Sequence, residues 1–426
     1  MTSSPRSFPT RSAAVSVAAC LTLALSSCAD SGSSQEESSP SEAADTTTPT
    51  ADPARETVEA QGPSPRLGIT YDGGVLVVDA MTLETVGDFP AEGFTRLNAA
   101  GDGRHLLLTQ GSAFQVLDAG VWSKPHGDHD HSYATDPELT DVTVEAQEPG
   151  HVVTHAGKTV LFADGTGEIT TFDSDSVTGE ELPDLEQMQT PRAHHGVAVE
   201  LEDGSLLHTI GTEDERSGAV VLDSEGEEVA RSEDCPGVHG ETVAADEVVV
   251  LGCEDGVLTY DDGEFTKIQA ADDYARIGNL AGSEASPVVL GDYKTEEDAE
   301  LERPTTISLV DTRSQEITLV DLPASYTFRS LGRDAEGDAL VLGTDGVLRT
   351  IEASTGEIAE ETTVVQAWEE PLDWQEPRPL LHVMGDLAYV TEPATNEVHI
   401  VDLSTDEVID SVTLSQTPNE LSSVTG

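Results

Sequence analysis

The chain has 426 residues, with 82 Asp and Glu against 20 Lys and Arg, a formal net charge of −62. A surface this acidic repels nucleic acid and anionic lipid headgroups, which excludes both as partners, and it draws cations toward any cleft it lines. The carboxylates are spread along the whole chain, so they read first as a solvated surface and single out no acid–base pair.

The N-terminus sets the compartment. Arg6 and Arg11 precede "SAAVSVAACLTLALSSC", which is too short and too interrupted for a membrane span of about 20 residues and fits a secretory signal over residues 1–27. Its end, Leu25 to Cys28 ("LSSC"), resembles a bacterial lipobox. That implies cleavage before Cys28, lipidation of its sulfur, and an extracytoplasmic protein anchored to the cell membrane as a lipoprotein. Residues 28–64 are rich in Ser, Thr, Pro and Glu and almost free of large apolar side chains. Such a segment buries too little surface to fold and reads as a disordered acidic tether. One folded domain, 65–426, remains.

In that domain short runs of Val, Ile, Thr, Leu and aromatics recur around turns of Gly, Asp and Asn, as in "RHLLLTQGSAFQVLDAG", "KTVLFADGTGEITTFD" and "DALVLGTDGVLRTIEA". Each pair is preceded by a further strand candidate, among them "FTRLNAAG", "HVVTHAG", "HGETVAAD" and "RPLLHVMG". Four strands per unit without helical periodicity predict an all-β chain, a single β-propeller of eight blades. The first unit, Arg66 to Phe89, lacks an inner strand, and "TPNELSSVTG" near the C-terminus supplies a spare one. Pairing the two closes the ring and leaves no free sheet edge. Seven blades result if the weak stretch from Ala275 to Pro323 is an insertion.

The histidines follow this pattern. "PHGDHDHSY", Pro125 to Tyr133, holds His126, His129 and His131. Six more of the twelve histidines fall on inner strands or at their starts: His151, His155, His194, His195, His239 and His382. Inner strands line the central channel. His151, His194, His195 and His239 sit near strand beginnings, His155 and His382 nearer the other mouth. The histidine loop is expected in the connection feeding the inner strand near Gly150, over the same mouth as His151, His195 and His239. Neutral imidazole is a preferred zinc ligand, and three or four nitrogens at about 2.0–2.1 Å make a site. One channel histidine is usually just hydrogen-bonded; three consecutive blades plus a loop point to a metal. His105, His208 and His399 belong to middle strands, where packing suffices. "DSDSVTGEE" resembles a calcium loop, but its Gly comes one position late, so it reads as a turn. No nucleophile elbow, phosphate-binding Gly loop or HExxH occurs.

Cys20 lies in the signal and Cys28 at the lipid site, leaving Cys235 and Cys253. In an exported chain these are most simply a disulfide, with a Cys-ligated metal as the rival.

The histidine loop, "PGHVVTHAGKTVLFADGTGE", "RAHHGVAVELEDG" and "CPGVHGE" with "GCEDGVL" together resemble the AztD-type extracytoplasmic zinc metallochaperones, over roughly Leu67 to Leu414. The resemblance implies a propeller that binds Zn²⁺ and passes it to the solute-binding protein of a zinc ABC transporter, and not an enzyme. By position it implies ligands among His126, His129 and His131 in the loop and His151, His155, His194, His195 and His239 in the ring, with Cys235 and Cys253 bridged. His382 comes from the repeat alone. The lipobox and long tether depart from the family and leave open whether the partner is soluble or anchored. The rival readings are a lactonase-like or quinoprotein-like enzyme in the same channel, and a passive interaction propeller that binds no metal.

Overall fold

The structure is a computed structural model that describes residues 55–426. The signal, Cys28 and the tether as far as residue 54 lie outside the described residues.

The sequence dictates strands of two kinds. Val248–Cys253 (VVVLGC) is buried at every position, whereas Glu407–Thr413 (EVIDSVT) is exposed at nearly all. A continuous apolar run suits a strand covered on both faces, and a polar one suits an outer edge. Eight sheets are built this way, each around four antiparallel strands with the polar one outermost. Six use strands consecutive in sequence, the second is interrupted by an inserted hairpin, and the first takes its inner strand from the C-terminus. Their inner strands are Arg96–Ala99, Pro149–His155, Ala198–Glu200, Glu241–Ala244, Leu280–Ser283, Leu331–Arg333, Leu381–Met384 and Leu421–Val424. The last of these pairs with Arg66–Tyr71, joining Arg66 to Val424 and Ile69 to Leu421, so the C-terminus completes the N-terminal sheet. The weak stretch from Ala275 to Pro323 supplies a complete sheet, Leu280–Ser283 through Glu316–Asp321.

The core lies between sheets rather than at one centre. Leu97, Leu106 and Leu108 of the second sheet pack on Val75 and Val77 of the first. Val160 and Phe162 of the third meet Ala198 of the fourth. Leu67, Ile69 and Leu76 of the first close the circle against Tyr389, Val398 and Ile400 of the eighth. Radial sheets stacked into a ring in this way make a β-propeller.

Every inner strand runs the same way, so all begin at one face of the ring, here the entry face, and end at the other, the exit face. This corrects the expected position of the histidine loop. "PHGDHDHSY" is a hairpin, Val121–His126 with His129–Ala134, inserted between the third and fourth strands of the second sheet. First and third strands are parallel, so their ends share the exit face. Contacts agree: Ser123 Oγ donates to Gly426 O, just past an inner-strand end, and Arg104, beside the first turn of the second sheet, lies 4.2 Å over the Trp122 ring. The outer strand of this sheet, Glu138–Glu145, follows the hairpin and separates it from the inner strand near Gly150.

The tether also ends earlier than residue 64. Val58–Ala60 pairs with Ser132–Ala134 as the third strand of the hairpin sheet, and Arg55 reaches buried Asp118 at 2.6 Å and Glu138 at 3.0 Å. Backbone pairing and ion pairs hold this segment, and neither needs the apolar side chains its composition lacks.

Cys235 and Cys253 form a disulfide across a separation of 18 residues, and both are buried. Replacing both with alanine is expected to cost about 3 kcal/mol in the chain-entropy picture. The check is the denaturant midpoint of the variant against the parent.

Candidate metal centre

Three consecutive inner strands deliver one imidazole each to the entry mouth. His151 lies at a bulge, where the register to the next strand shifts between Pro149 and Val152, and a bulge re-aims side chains. Gly150 beside it leaves room for the Asp164 carboxylate, which a Cβ there would strike. His195 precedes Ala198–Glu200, and His239 precedes Glu241–Ala244. Gly240, at φ +75°, carries the chain past Gly278 O, where a Cβ would clash. The ring centroids of His151, His195 and His239 lie 5.1, 5.2 and 5.9 Å apart, and one nitrogen from each falls within 4.8 Å of the others.

Their outer nitrogens decide what the inner ones can do. His195 Nδ1 donates to Asp164 Oδ2 at 2.5 Å, and His239 Nδ1 donates to Gly278 O at 2.8 Å. His151 Nδ1 lies 3.4 Å from Glu241 Oε2. With Nδ1 protonated, each Nε2 carries a lone pair, and fixing a ring through its outer nitrogen is how proteins orient metal-ligating histidines. Burial pushes His239 down to about 3, so its imidazole is neutral. Burial works in the same sense on His151, but the Glu241 carboxylate outweighs it and raises that pKa.

A tetrahedral metal with three imidazoles keeps one open position. Here it would face a cavity of about 580 Å³ lined by Arg96, Lys294, Phe328 and Trp374 among others.

The hairpin forms a second cluster. His126 pairs across the turn with His129, and Gly127 in the turn has φ +70°. His131 Nε2 lies 3.2 Å from both His129 Nε2 and His126 Nδ1. Bonds of about 2.0–2.1 Å at tetrahedral angles separate ligand atoms by about 3.3 Å, so these nitrogens already stand at zinc spacing. Glu59 accepts from His131 Nδ1 at 2.6 Å, and Asp128 from His129 Nδ1 at 3.2 Å.

The other three histidines named from the sequence join neither cluster. His194 is buried against Phe162, donates to Arg192 O and bonds Thr209 Oγ1, which satisfies both its nitrogens. His155 bonds Glu247 at 2.8 Å near the exit face. His382 bonds Ser423 Oγ at 2.8 Å, and burial pushes it down to about 4. A third group, Glu392, Glu397 and His399, also gathers ligand atoms, but His399 is satisfied by Ser411 at 2.7 Å and Glu392 at 3.2 Å. Sequence reasoning missed Glu59, Asp164 and Glu241, which hold the imidazoles. Glu241 stood in plain view two residues after His239.

No protein-family model matches the chain. The zinc chaperone AztD of Citrobacter koseri is 26% identical over 369 residues, covering 83% of this chain and 84% of its own length. The crystal structure of Citrobacter koseri AztD superposes with a TM-score of 0.74 at 24% identity, over 86% of this chain and 99% of that one. Its apo structure gives 0.71 at 23%, over 85% and 98%. The dihydro-heme d1 dehydrogenase NirN reaches 0.51 at 11% identity, over 84% and 74%, a likeness of fold alone. The resemblance carried by the histidine motifs therefore extends along most of the chain.

Proposed function

We propose, from the likeness to AztD, that this chain is a zinc chaperone that holds Zn²⁺ at the entry mouth between His151, His195 and His239 and delivers it to the solute-binding protein of a zinc ABC transporter. The observation that carries the reading is that each Nδ1 faces an acceptor of the chain itself while one nitrogen from each of the three rings lies within 4.8 Å of the others. AztD is a chaperone, so the lactonase and quinoprotein readings are set aside, as is the propeller that binds no metal. The signal-like N-terminus and Cys28 support a lipoprotein held outside the cell membrane, with the acidic segment as its tether.

Three neutral ligands and an open position suit a carrier. A donor from the receiving protein enters the open position first, and the imidazoles then leave one at a time. The hairpin does not take part in that exchange, since it lies on the exit face. It is a separate zinc site. Converting His126, His129 and His131 together to Asn is expected to lower zinc stoichiometry from two to one and leave the entry site within about threefold of its parent affinity. Titration against a chromophoric chelator checks this. A variant that still binds two ions, or that loses both, contradicts the two-site arrangement.

The reading as a whole is tested by mixing the zinc-loaded chain with a metal-free zinc-specific solute-binding protein in the presence of excess chelator. Zinc should appear on the acceptor faster than on the chelator. Zinc that passes only to the chelator contradicts delivery.

A further inference from the structure

Zinc in the three-imidazole cup keeps its full double positive charge, because neutral histidines compensate none of it. The carboxylates lining the cavity are spent elsewhere: Asp164 and Glu241 face outward nitrogens of His195 and His151, and buried Asp292 accepts from Gly278 N and Asn279 N. An anionic fourth ligand must therefore come from outside the chain. Its path runs through the 580 Å³ cavity, and this cavity carries cations in a chain that has only 20 of them against 82 acidic residues. Arg96 makes no ion pair among the described residues, and its guanidinium lies 5.2 Å from the centre of the Trp374 ring. Arg276 and Lys294 see their carboxylates only at 3.6 and 3.5 Å.

The rim is equally unusual. Trp374 is 47% exposed and Leu372 68% exposed, and Trp374 is the only aromatic among the large exposed hydrophobics of the described residues. Phe94 props the Trp374 ring edge-on at 5.0 Å. Trp and Arg are among the residue types enriched at interface hot spots, and here an exposed, supported Trp stands beside an Arg without an ion pair among the described residues.

We propose that the entry mouth is a docking surface for an acidic loop of the zinc-receiving protein, with Trp374 and Leu372 seating the loop and Arg96, Arg276 and Lys294 guiding one of its carboxylates into the fourth position on zinc. The proposal rests on the zinc reading above and adds the chemistry of the partner. It also explains why a chain of net charge −62 can meet an acidic partner: repulsion elsewhere leaves this mouth as the one productive approach.

The test uses the full chain and a fluorescently labelled hexa-aspartate peptide, with hexa-asparagine as control. The zinc-loaded chain should bind hexa-aspartate and not hexa-asparagine. Arg96→Gln with Lys294→Gln, and separately Trp374→Ala, should each weaken peptide binding at least tenfold while zinc affinity stays within threefold. In the cobalt-loaded chain, the visible absorption should change as the peptide binds. Equal peptide binding by parent and variants, or a cobalt spectrum that the peptide leaves unmoved, overturns the proposal. No cobalt absorption before any peptide is added is a different result, which overturns the zinc reading and the proposal with it.

Discussion

Replacing His195 and His239 together with asparagine is expected to weaken zinc binding at the entry mouth by at least ~1,000-fold, because two of three ligands are lost at a site whose binding energy is coordinate. The fold should survive. His195 is 44% exposed, and neither side chain belongs to the hydrophobic clusters between sheets. Asn is close in size and can still donate to Asp164 or to Gly278 O. The expected result is an unchanged thermal midpoint without metal, and one zinc fewer in the titration. A zinc isotherm matching the parent's would show that the metal sits elsewhere.

Lowering the pH from about 7 to 5 should weaken the entry site steeply, and the ligands should not contribute equally. An imidazole must be neutral to bind. His239, pushed by burial down to about 3, is neutral throughout that window and releases no proton. His151 is raised above its ordinary value by Glu241, so a growing fraction is charged and zinc must displace its proton. Affinity should fall up to tenfold per pH unit once His151 is mostly protonated. Calorimetry in buffers of different ionisation enthalpy should detect the proton released. Glu241→Gln removes the cause of the raised pKa and should move the fall to lower pH. Flat affinity from pH 7 to 5 would contradict an imidazole site.

The same shifts act on stability with a definite sign. A histidine whose folded pKa is depressed leaves the unfolded chain to take the proton first. His239 and His382 should therefore cost the metal-free protein stability as pH falls below about 6.5, toward 3 for His239 and 4 for His382.

The strand repeat and the C-terminal closure were legible because period-two patterning and turn residues are local signals. The second strands, such as Val248–Cys253, are legible differently, as continuous apolar runs bounded by turn residues. His151, His195 and His239 were legible as a set because inner-strand starts share a face. What separates His155 from them was present too: four residues of strand span about 13 Å. His194 and His195 both precede the strand Ala198–Glu200, and what separates them is their partners: His194 packs on Phe162 and bonds Thr209, while His195 reaches Asp164. The hairpin's place is not legible because Glu138–Glu145, the strand that separates it from Gly150, stands out little in the sequence. Its buried Thr140, Val142 and Val144 alternate with polar residues, so the signal existed but was weak beside its neighbours. The carboxylates that orient the imidazoles could not be told apart from the rest of 82 without coordinates.

Diffraction data collected on either side of the zinc absorption edge, from crystals of the chain loaded with two equivalents of zinc, test the central claim most directly. The account predicts an anomalous peak at the entry mouth with the Nε2 atoms of His151, His195 and His239 at about 2.0–2.1 Å, and a second peak at the hairpin. A crystal with zinc at the hairpin alone, or with no peak between those three imidazoles, would contradict it.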